Sequence, residues 1–203
     1  MKKYLFILAL LVSSLSHASI KLGQDYELLA TPQPVRDSNK IEIIEFFSYQ
    51  CSYCYTKEKA LSAWVKALPK DVSFRKEHIV WNKSMENMAR MFASFSMSNT
   101  LAKLHNKAFD AVLKDRINLA DEKEFEKWLK NQKGINANSV LDIYHSFSAS
   151  AQVERAKKIT NDYAVRSTPL LIINGQYVVP SERPECTMKV VDELIENIRA
   201  GLN

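Results

Sequence analysis

One short segment limits the possible folds more than any other, and it covers residues 40–48, which read KIEIIEFFS. Its β-branched and aromatic residues predict a strand. Alternation assigns the side chains to two faces, with Ile41, Ile43, Glu45 and Phe47 on one and Glu42, Ile44 and Phe46 on the other. Both faces are largely apolar, which is typical of a strand in a sheet that is covered on each side. The chain is therefore expected to be an α/β protein.

The segments after this strand alternate between helical and strand-like patterns. In chain order, we predict a helix from about Cys51 to Pro69, a strand over Val72–Val80, helices within residues 82–163, strands over Leu170–Ile173 and Gln176–Val179, and a last helix over Met188–Leu202. Asn174 and Gly175 separate the last two strands, and Asn-Gly between two apolar runs is a strong hairpin signal. One α/β sheet interrupted by a long helical segment accounts for this order.

The helical segment defines the predicted domain organisation. Apolar residues recur at spacings of three and four within it, as in the stripe from Met85 to Phe95. We predict that this stripe is core, although flexible methionines also suit a surface that binds many substrates. The predicted domains are a discontinuous α/β domain, residues 19–81 and 164–203, and an inserted helical domain, residues 82–163.

The N-terminus has the pattern of a secretory signal peptide. Lys2 and Lys3 precede an apolar run over Tyr4–Val12, and the small residues Ser16 and Ala18 follow at the positions that a signal peptidase reads. The run is too short to cross a bilayer, so we expect cleavage after Ala18 and no stable membrane insertion. Export places the mature chain in an oxidising compartment, where thiols can become disulfides.

Composition excludes several classes of function. The four glycines are far apart, so there is no glycine-rich phosphate cradle, and neither a GxSxG nor an HExxH motif occurs. The 28 Lys and Arg residues exceed the 23 Asp and Glu residues only slightly, and two of the basic residues belong to the predicted leader. Nucleic-acid binding usually shows a clustered basic face, so we expect no nucleic-acid partner.

The chemistry is predicted to lie in Cys51-Ser52-Tyr53-Cys54, at the junction between the buried strand and the next helix. Unpaired backbone N–H groups and a partial positive charge at a helix N-terminus favour the thiolate form of Cys51. A thiol of low pKa is a good leaving group, so its disulfide is readily transferred to other thiols. Cys54, one turn later, is expected to face inward and to act as the resolving thiol.

Two structural alternatives exist for the cysteine pair. Half of a zinc site would need a second pair of ligands at matching spacing, and the available residues are scattered: His78, His105, His145 and Cys186. A purely structural disulfide would close too short a loop to stabilise the fold much. We therefore predict no metal and no cofactor other than the redox-active disulfide itself. The third cysteine, Cys186, is interpreted as a small buried residue, with a reactive thiol as the alternative.

Several segments together resemble the DsbA family of exported thiol:disulfide oxidoreductases. They are EFFSYQCSYC at residues 45–54, KEHIV at residues 76–80, the long helical segment and VRSTPLLIING at residues 165–175. This combination is much more specific than a CxxC motif alone. The resemblance implies an α/β thioredoxin-like fold with an inserted all-helical domain, and a location in the periplasm.

The resemblance also implies roles for individual residues. Cys51 would be the exposed sulfur that substrates attack, and Cys54 its buried partner. Pro169 matches the family's cis-proline, which leaves the neighbouring backbone free to pair with an extended substrate, and Thr168 would contribute contacts to that peptide. An ordinary trans proline at the start of a strand is the alternative.

Glu45 and Lys76 match a buried acid and base near the active site of the family. Both lie among apolar neighbours on strands predicted to be adjacent, where an unpaired charge is costly. Glu45 could relay the proton of Cys54. The alternative for each is a solvated position near a strand end. His78 also matches a family position but is interpreted as a core or edge histidine.

The dipeptide between the cysteines departs from the family's best-known Pro-His. Ser52 and Tyr53 occupy it here, and Tyr53 offers a hydroxyl and a ring but no cation. We therefore expect a disulfide that is less oxidising than those of the strongest family members. Both residues are candidates for contacting substrates, and Tyr49, Tyr53 and Tyr55 are predicted to line a peptide groove.

The favoured function is an enzyme that donates its disulfide to newly exported proteins with free thiols. By resemblance, a quinone-linked inner-membrane oxidase of the DsbB type would then reoxidise it. A disulfide isomerase or reductase that is kept reduced is the first alternative. A non-catalytic chaperone or interaction module that uses the helical segment is the second.

Overall fold

The computed structural model of the protein describes residues 20–180 and 184–202, so the predicted leader, residues 1–18, lies outside it. The elements in chain order are β1 (Glu27–Leu28), β2 (Ile41–Phe47), α1 (Ser52–Lys66), β3 (Val72–His78), a 3-10 turn (Lys83–Met85), α2 (Glu86–Met97), α3 (Leu101–Leu113), α4 (Glu122–Lys130), α5 (Ala137–Tyr144), α6 (Phe147–Asp162), β4 (Leu170–Ile173), β5 (Tyr177–Pro180) and α7 (Pro184–Arg199). Five α-helices thus separate β3 from β4. The predicted domain bounds remain a prediction.

The strands form one five-stranded sheet in the order β1-β5-β4-β2-β3. β2 pairs in parallel with β3 and antiparallel with β4, and β5 pairs antiparallel with both β4 and β1. Every residue of β2 is buried. Ile41 and Ile43 belong to a core cluster that includes residues of α7, whereas Ile44 and Phe46 pack with Tyr163 and Val165 on the other face. The prediction of a strand that is apolar and covered on both faces is confirmed.

The hairpin between β4 and β5 turns at the predicted residues. Asn174 and Gly175 both have positive φ angles, 49° and 71°. Glycine is required at the second position, because a Cβ atom there would lie 2.0 Å from the Gln33 carbonyl oxygen. Gln176 belongs to the turn, so β5 begins one residue later than predicted.

A core that extends from the helices to the sheet fixes the position of the cysteine pair. The stripe residues Met88, Met91, Phe92 and Phe95 are at most 9 % exposed and pack in one cluster with Phe47, Tyr49 and Cys54. The prediction that this stripe is core is confirmed, and the alternative of a methionine-rich binding surface is wrong. Since the same cluster holds Cys54, the helical segment packs directly against the redox motif.

The two helices of the α/β part differ slightly from the prediction at their ends. α1 stops at Lys66, before Pro69, while α7 starts at Pro184 and stops at Arg199. Among the residues that the structure covers, no helix is both long and apolar enough to span a bilayer. The side chain of Cys186 lies outside the described residues, so both interpretations of that thiol remain predictions.

Candidate active site

The thiol of Cys51 caps the N-terminus of α1. Cys51 has an extended backbone conformation, and its sulfur accepts a hydrogen bond from the Cys54 backbone N–H at 3.1 Å. The thiol also donates to the Thr168 carbonyl oxygen at 3.3 Å. An N-cap side chain that accepts from the third residue of a helix satisfies one of its unpaired donors, and a negative charge is favoured there. Cys51 is half-buried, so its sulfur is accessible from one side.

These contacts make Cys51 an unusually acidic thiol. The hydrogen bond from the Cys54 side chain lowers the pKa of Cys51 most, and the Thr168 side chain and the backbone N–H groups of Cys54 and Tyr53 lower it further. Burial opposes the change, but the pKa still falls to about 6. A free cysteine has a pKa of about 8.5, so Cys51 is mostly thiolate at pH 7.

Cys54 has the opposite character. It is 1 % exposed, and burial raises the pKa of its thiol, with further increases from Cys51 and from the negative charge of Glu45. Both cysteines are free thiols in this structure. The pair therefore combines an accessible sulfur that is stable as an anion with a buried sulfur that is stable only with its proton.

Thr168 and Pro169 lie beside Cys51, as the sequence predicts. The Thr168–Pro169 peptide bond is cis, so the alternative of an ordinary trans proline is wrong. Pro169 is buried at the start of β4, while Thr168 is partly exposed and has its carbonyl oxygen on the Cys51 thiol. The dipeptide is also accessible, since Ser52 and Tyr53 are both exposed.

The structure contradicts the predicted tyrosine groove at one of its three residues, and the other two assignments remain predictions. Tyr53 is 67 % exposed beside the cysteines. Tyr55 is partly buried and donates its hydroxyl to Asp110 of α3 at 2.6 Å. Tyr49 is 0 % exposed, so its assignment to a groove is wrong. Its ring packs edge-on against Phe47 and Phe109, and the core formed with the helical segment covers it.

Glu45 and Lys76 are paired beneath the site. They lie opposite each other on β2 and β3, and the Lys76 ammonium donates to the Glu45 carboxylate. Their side chains are only 2 % and 12 % exposed, so the alternative of solvated strand-end positions is wrong. Lys76 also donates to Glu58 of α1 at 2.9 Å. One cation thus serves two buried carboxylates.

The three charged groups have different pKa values. Burial raises the pKa of Glu45, and the charge of Glu58 raises it further against the opposing effect of Lys76. For Glu58, hydrogen bonds and charge from His105 and Lys76 outweigh burial and lower the pKa to about 2. For Lys76, the two carboxylates outweigh burial and raise the pKa. Of these two carboxyl groups, Glu45 is therefore the one that is more readily protonated.

Sequence reasoning missed Glu58 and His105. Glu58 lies four residues after Cys54, hence on the same buried side of α1, and this spacing is a signal that could have identified it. His105 was considered only as a scattered zinc ligand, yet it is 6 % exposed and lies beside Glu58. His78 is a core histidine, as predicted: it accepts from the Tyr49 backbone N–H, and burial lowers its pKa to about 4.

Among the described residues, one group of side chains away from the cysteines could bind a metal ion. Glu122, Glu126 and His145 have ligand atoms within 4.8 Å of one another. The His145 ring nitrogens lie 3.7 and 3.8 Å from the two carboxylates, as in ordinary surface ion pairs. Neither Cys51 nor Cys54 belongs to this group.

Known proteins resemble this chain in sequence along most of its length. The family described as "DSBA-like thioredoxin domain" matches residues 79–191. The thiol:disulfide interchange protein DsbA of Azotobacter vinelandii is 36% identical over 200 residues, which cover 97% of this chain and 93% of that protein. The chain belongs to the DsbA family. The Pseudomonas aeruginosa PAO1 DsbA is 33% identical over 182 residues, covering 88% of this chain and 86% of that one.

Solved DsbA structures have the same fold. The oxidoreductase NmDsbA1 from N. meningitidis superposes with a TM-score of 0.83 at 31% identity, over 88% of this chain and 94% of that one. Pseudomonas aeruginosa DsbA gives a TM-score of 0.84 at 32% identity, over 90% and 96%. The predicted α/β thioredoxin-like fold is confirmed. The chain is a DsbA-family thiol:disulfide oxidoreductase, and the alternative of a non-catalytic module is wrong.

Proposed function

We propose that this DsbA-family enzyme works as an oxidase of the periplasm, and that it transfers the Cys51–Cys54 disulfide to exported proteins that are folding and carry free thiols. The proposal rests on the opposite pKa changes of the two thiols, lowered for Cys51 and raised for Cys54. Disulfide exchange favours the departure of the sulfur with the lower pKa. Because Cys51 is stable as a thiolate, the enzyme is more stable reduced than a pair of ordinary thiols would be, and its disulfide is correspondingly oxidising.

The proposed reaction has two exchange steps. A substrate thiolate attacks Cys51, the Cys51–Cys54 bond breaks, and a mixed disulfide forms while Cys54 leaves and takes up a proton. A second substrate thiolate then attacks the substrate sulfur of the mixed disulfide, and Cys51 leaves as a thiolate. The substrate has lost two electrons and gained a disulfide, and the enzyme holds both electrons as its dithiol.

We propose that Glu45 supplies the proton that Cys54 takes up when it leaves. The charge of Glu45 raises the Cys54 pKa, so the two groups interact, and burial keeps the Glu45 carboxyl a weak acid. A small cavity of about 10 Å³ is lined by Glu45, Leu61, Pro169 and Leu171, among others. That volume is close to the space that one water molecule needs, so we propose that a water in this cavity exchanges the proton with Glu45. Lys76 fixes the Glu45 carboxylate by its ion pair.

Substrate binding is assigned to the surface around Cys51. The backbone next to Pro169 is proposed to pair with an extended segment of the substrate, and Thr168 adds contacts from its partly exposed position. Ser52 and Tyr53 are proposed to contact the same peptide from the start of α1, where both are exposed. This site would recognise the substrate mainly through its backbone and less through its side chains, which suits an enzyme with many substrates.

Repeated turnover requires an electron acceptor, because each cycle leaves the enzyme as a dithiol. We propose a quinone-linked inner-membrane oxidase of the DsbB type as that acceptor. No resident cofactor is assigned, since the cysteine pair itself carries both electrons. An isomerase or reductase that is kept reduced uses the same cysteines in the opposite direction and remains the second candidate. By resemblance, a threonine before the proline, here Thr168, also occurs in disulfide isomerase relatives.

The redox state of the enzyme in cells tests the direction of this chemistry. We expect alkylation trapping to find Cys51 and Cys54 mainly as a disulfide in growing cells, and mainly as thiols once the quinone-linked oxidase is deleted. Wild-type protein that is reduced with dithiothreitol before alkylation marks the position of the reduced form. A pair that is mainly reduced in cells with an intact oxidase would favour the isomerase or reductase instead.

A further inference from the structure

A buried chain of polar contacts joins the helical segment to the charged groups beneath Cys54. The Tyr49 hydroxyl lies 3.0 Å from Nδ1 of His105, and Nε2 of His105 lies 3.4 Å from Oε2 of Glu58. Tyr49 is 0 % exposed and His105 6 % exposed. Buried polar groups of this kind are costly unless they are paired. The contacts therefore link α3, which holds His105, to α1, which holds Glu58.

The chemistry of the three groups defines the direction of the hydrogen bonds. An ionised carboxylate only accepts, so Nε2 of His105 carries a proton toward Glu58. In the neutral ring Nδ1 then accepts, and the Tyr49 hydroxyl donates to it. Burial raises the pKa of Tyr49 well above its usual value, so its hydroxyl stays a donor. The donors thus run from Tyr49 to His105 to Glu58.

Glu58 and Glu45 compete for one cation and one proton. Lys76 donates to both carboxylates, but Glu58 also accepts from the Ser62 hydroxyl at 2.7 Å and lies 3.4 Å from Nε2 of His105. A carboxylate with more donors is favoured as the anion. Glu45 is then the carboxyl group that takes up a proton more readily, as the opposite pKa changes of the two residues also indicate.

We propose that His105 is a positioning residue of this enzyme: its Nε2–H group, 3.4 Å from the carboxylate, helps to hold Glu58 as the anion beside Lys76, and Tyr49 fixes the ring. The inserted helices thereby take part in the proton chemistry of the cysteines. The link to disulfide exchange rests on the proton role proposed for Glu45, whereas the effect on Glu58 does not.

The surroundings of His105 limit what else can contribute. The titratable and charged groups that act on it or on its partners are Tyr49 before α1, Glu58 on α1, Glu45 on β2, and Lys76 and His78 on β3. Aromatic rings cover the rest, with Phe47, Phe92 and Phe109 all packed edge-on against the imidazole. Within the described residues, Nε2 of His105 is buried and makes no hydrogen bond of standard geometry, and its one recorded ion-pair contact is Oε2 of Glu58 at 3.4 Å.

Two substitutions of His105 by amide residues distinguish the contribution of its Nε2 atom from that of its Nδ1 atom. A Gln side chain can place an N–H near the position of Nε2 and reach Glu58, whereas an Asn side chain reaches only the position of Nδ1 beside Tyr49. The carboxyl carbons of Glu45 and Glu58 can be titrated by carbon-13 NMR in the reduced full-length mature protein, and Glu→Gln variants assign the signals. His145→Asn, at a half-exposed histidine on the same helical segment, is the matched control.

We expect His105→Asn to raise the Glu58 midpoint by about one pKa unit, a tenfold loss of acidity. His105→Gln should keep that midpoint near wild type, and His145→Asn should not change it. Equal midpoints in the Asn and Gln variants, with the native fold retained, would overturn the proposal.

The controls distinguish this result from a failure of the proposed function. If the midpoints shift as expected but Glu45→Gln leaves the pH profile of exchange unchanged, His105 still positions Glu58 and only the proton role of Glu45 is wrong. If His105→Asn does not fold, Tyr49→Phe removes just the hydroxyl that anchors the ring. We expect that variant to raise the Glu58 midpoint in the same direction, and no change in it would contradict the proposal.

Discussion

Replacing Cys51 with Ser abolishes disulfide transfer, and replacing Cys54 with Ser traps the enzyme on its partners. A hydroxyl cannot form a disulfide, so Cys51→Ser should reduce the oxidation of a dithiol peptide to the uncatalysed rate. Cys54→Ser keeps a nucleophile at Cys51 whose pKa of about 6 makes it mostly thiolate at pH 7. Lacking the resolving thiol, that variant should accumulate mixed disulfides.

Peptide oxidation assays and mass spectrometry of non-reduced samples measure these two outcomes. Cys186→Ser is the matched control, because it makes the same change at the third cysteine and leaves the pair intact, and we expect it to retain activity. Activity above background in Cys51→Ser would show that substrates attack Cys54 instead. Mixed disulfides that are equally abundant in both variants would contradict the assigned roles.

Lys76→Met should lower the free energy of unfolding by about 3–5 kcal/mol at neutral pH, because removing one partner of a buried ion pair leaves uncompensated charge. Here Glu45 and Glu58, with side chains 2 % and 6 % exposed, would lose their shared cation. Methionine preserves the length of the side chain, so lost packing contributes little. Denaturant unfolding at a series of pH values measures the effect.

The pH dependence of this loss has a definite sign. The pKa of Glu58 is lowered to about 2 in the fold, so its contribution to stability is present above its ordinary pKa of about 4.3 and is lost as the pH falls toward 2. The pKa of Lys76 is raised, so its contribution is retained throughout the acidic range. The difference between wild type and Lys76→Met should therefore shrink below about pH 4.

A matched control and a second substitution make this prediction specific. Lys70→Met removes an exposed lysine and should change stability by less than about 0.5 kcal/mol. Adding Glu58→Gln to Lys76→Met removes one of the stranded charges and should recover part of the loss. A deficit that grows on acidification would contradict the ion-pair explanation.

Much of the fold follows from local patterns. The alternation in β2 predicted its burial on both faces, and Asn174-Gly175 predicted the hairpin, because these features depend on neighbours in sequence. The position of Cys51 at the start of α1 also followed from the boundary between a strand and a helical pattern. Glu45 and Lys76 could be placed together because parallel neighbouring strands bring equivalent positions into contact.

Other features depend on residues far apart in the chain. Tyr49 follows the end of β2, where alternation no longer applies, and His105 and Phe109 of α3 decide its burial. The cluster of Glu45, Lys76, Glu58 and His105 draws on four elements, so no local pattern reveals it. Glu58 in particular lies in a polar-looking stretch of α1, where its burial depends on the cation supplied by β3.

The dipeptide between the cysteines, Ser52-Tyr53, contains no cation, as the sequence shows. Tyr53 is exposed and carries no charge, but the Lys57 ammonium lies 5.9 Å from the centre of its ring. A cation is thus present one turn away from a dipeptide that lacks the histidine of the best-known family members. That the disulfide is less oxidising than theirs remains a prediction, which equilibration with glutathione measures.

The thiolate absorbance of the reduced protein, titrated against pH, tests most directly whether Cys51 is the acidic sulfur on which disulfide donation depends. The Cys51→Ser variant supplies the baseline, since the Cys54 thiol stays protonated across this range. We predict a transition with a midpoint of about 6 that is absent from the variant. A midpoint near the 8.5 or so of free cysteine would contradict the proposed chemistry.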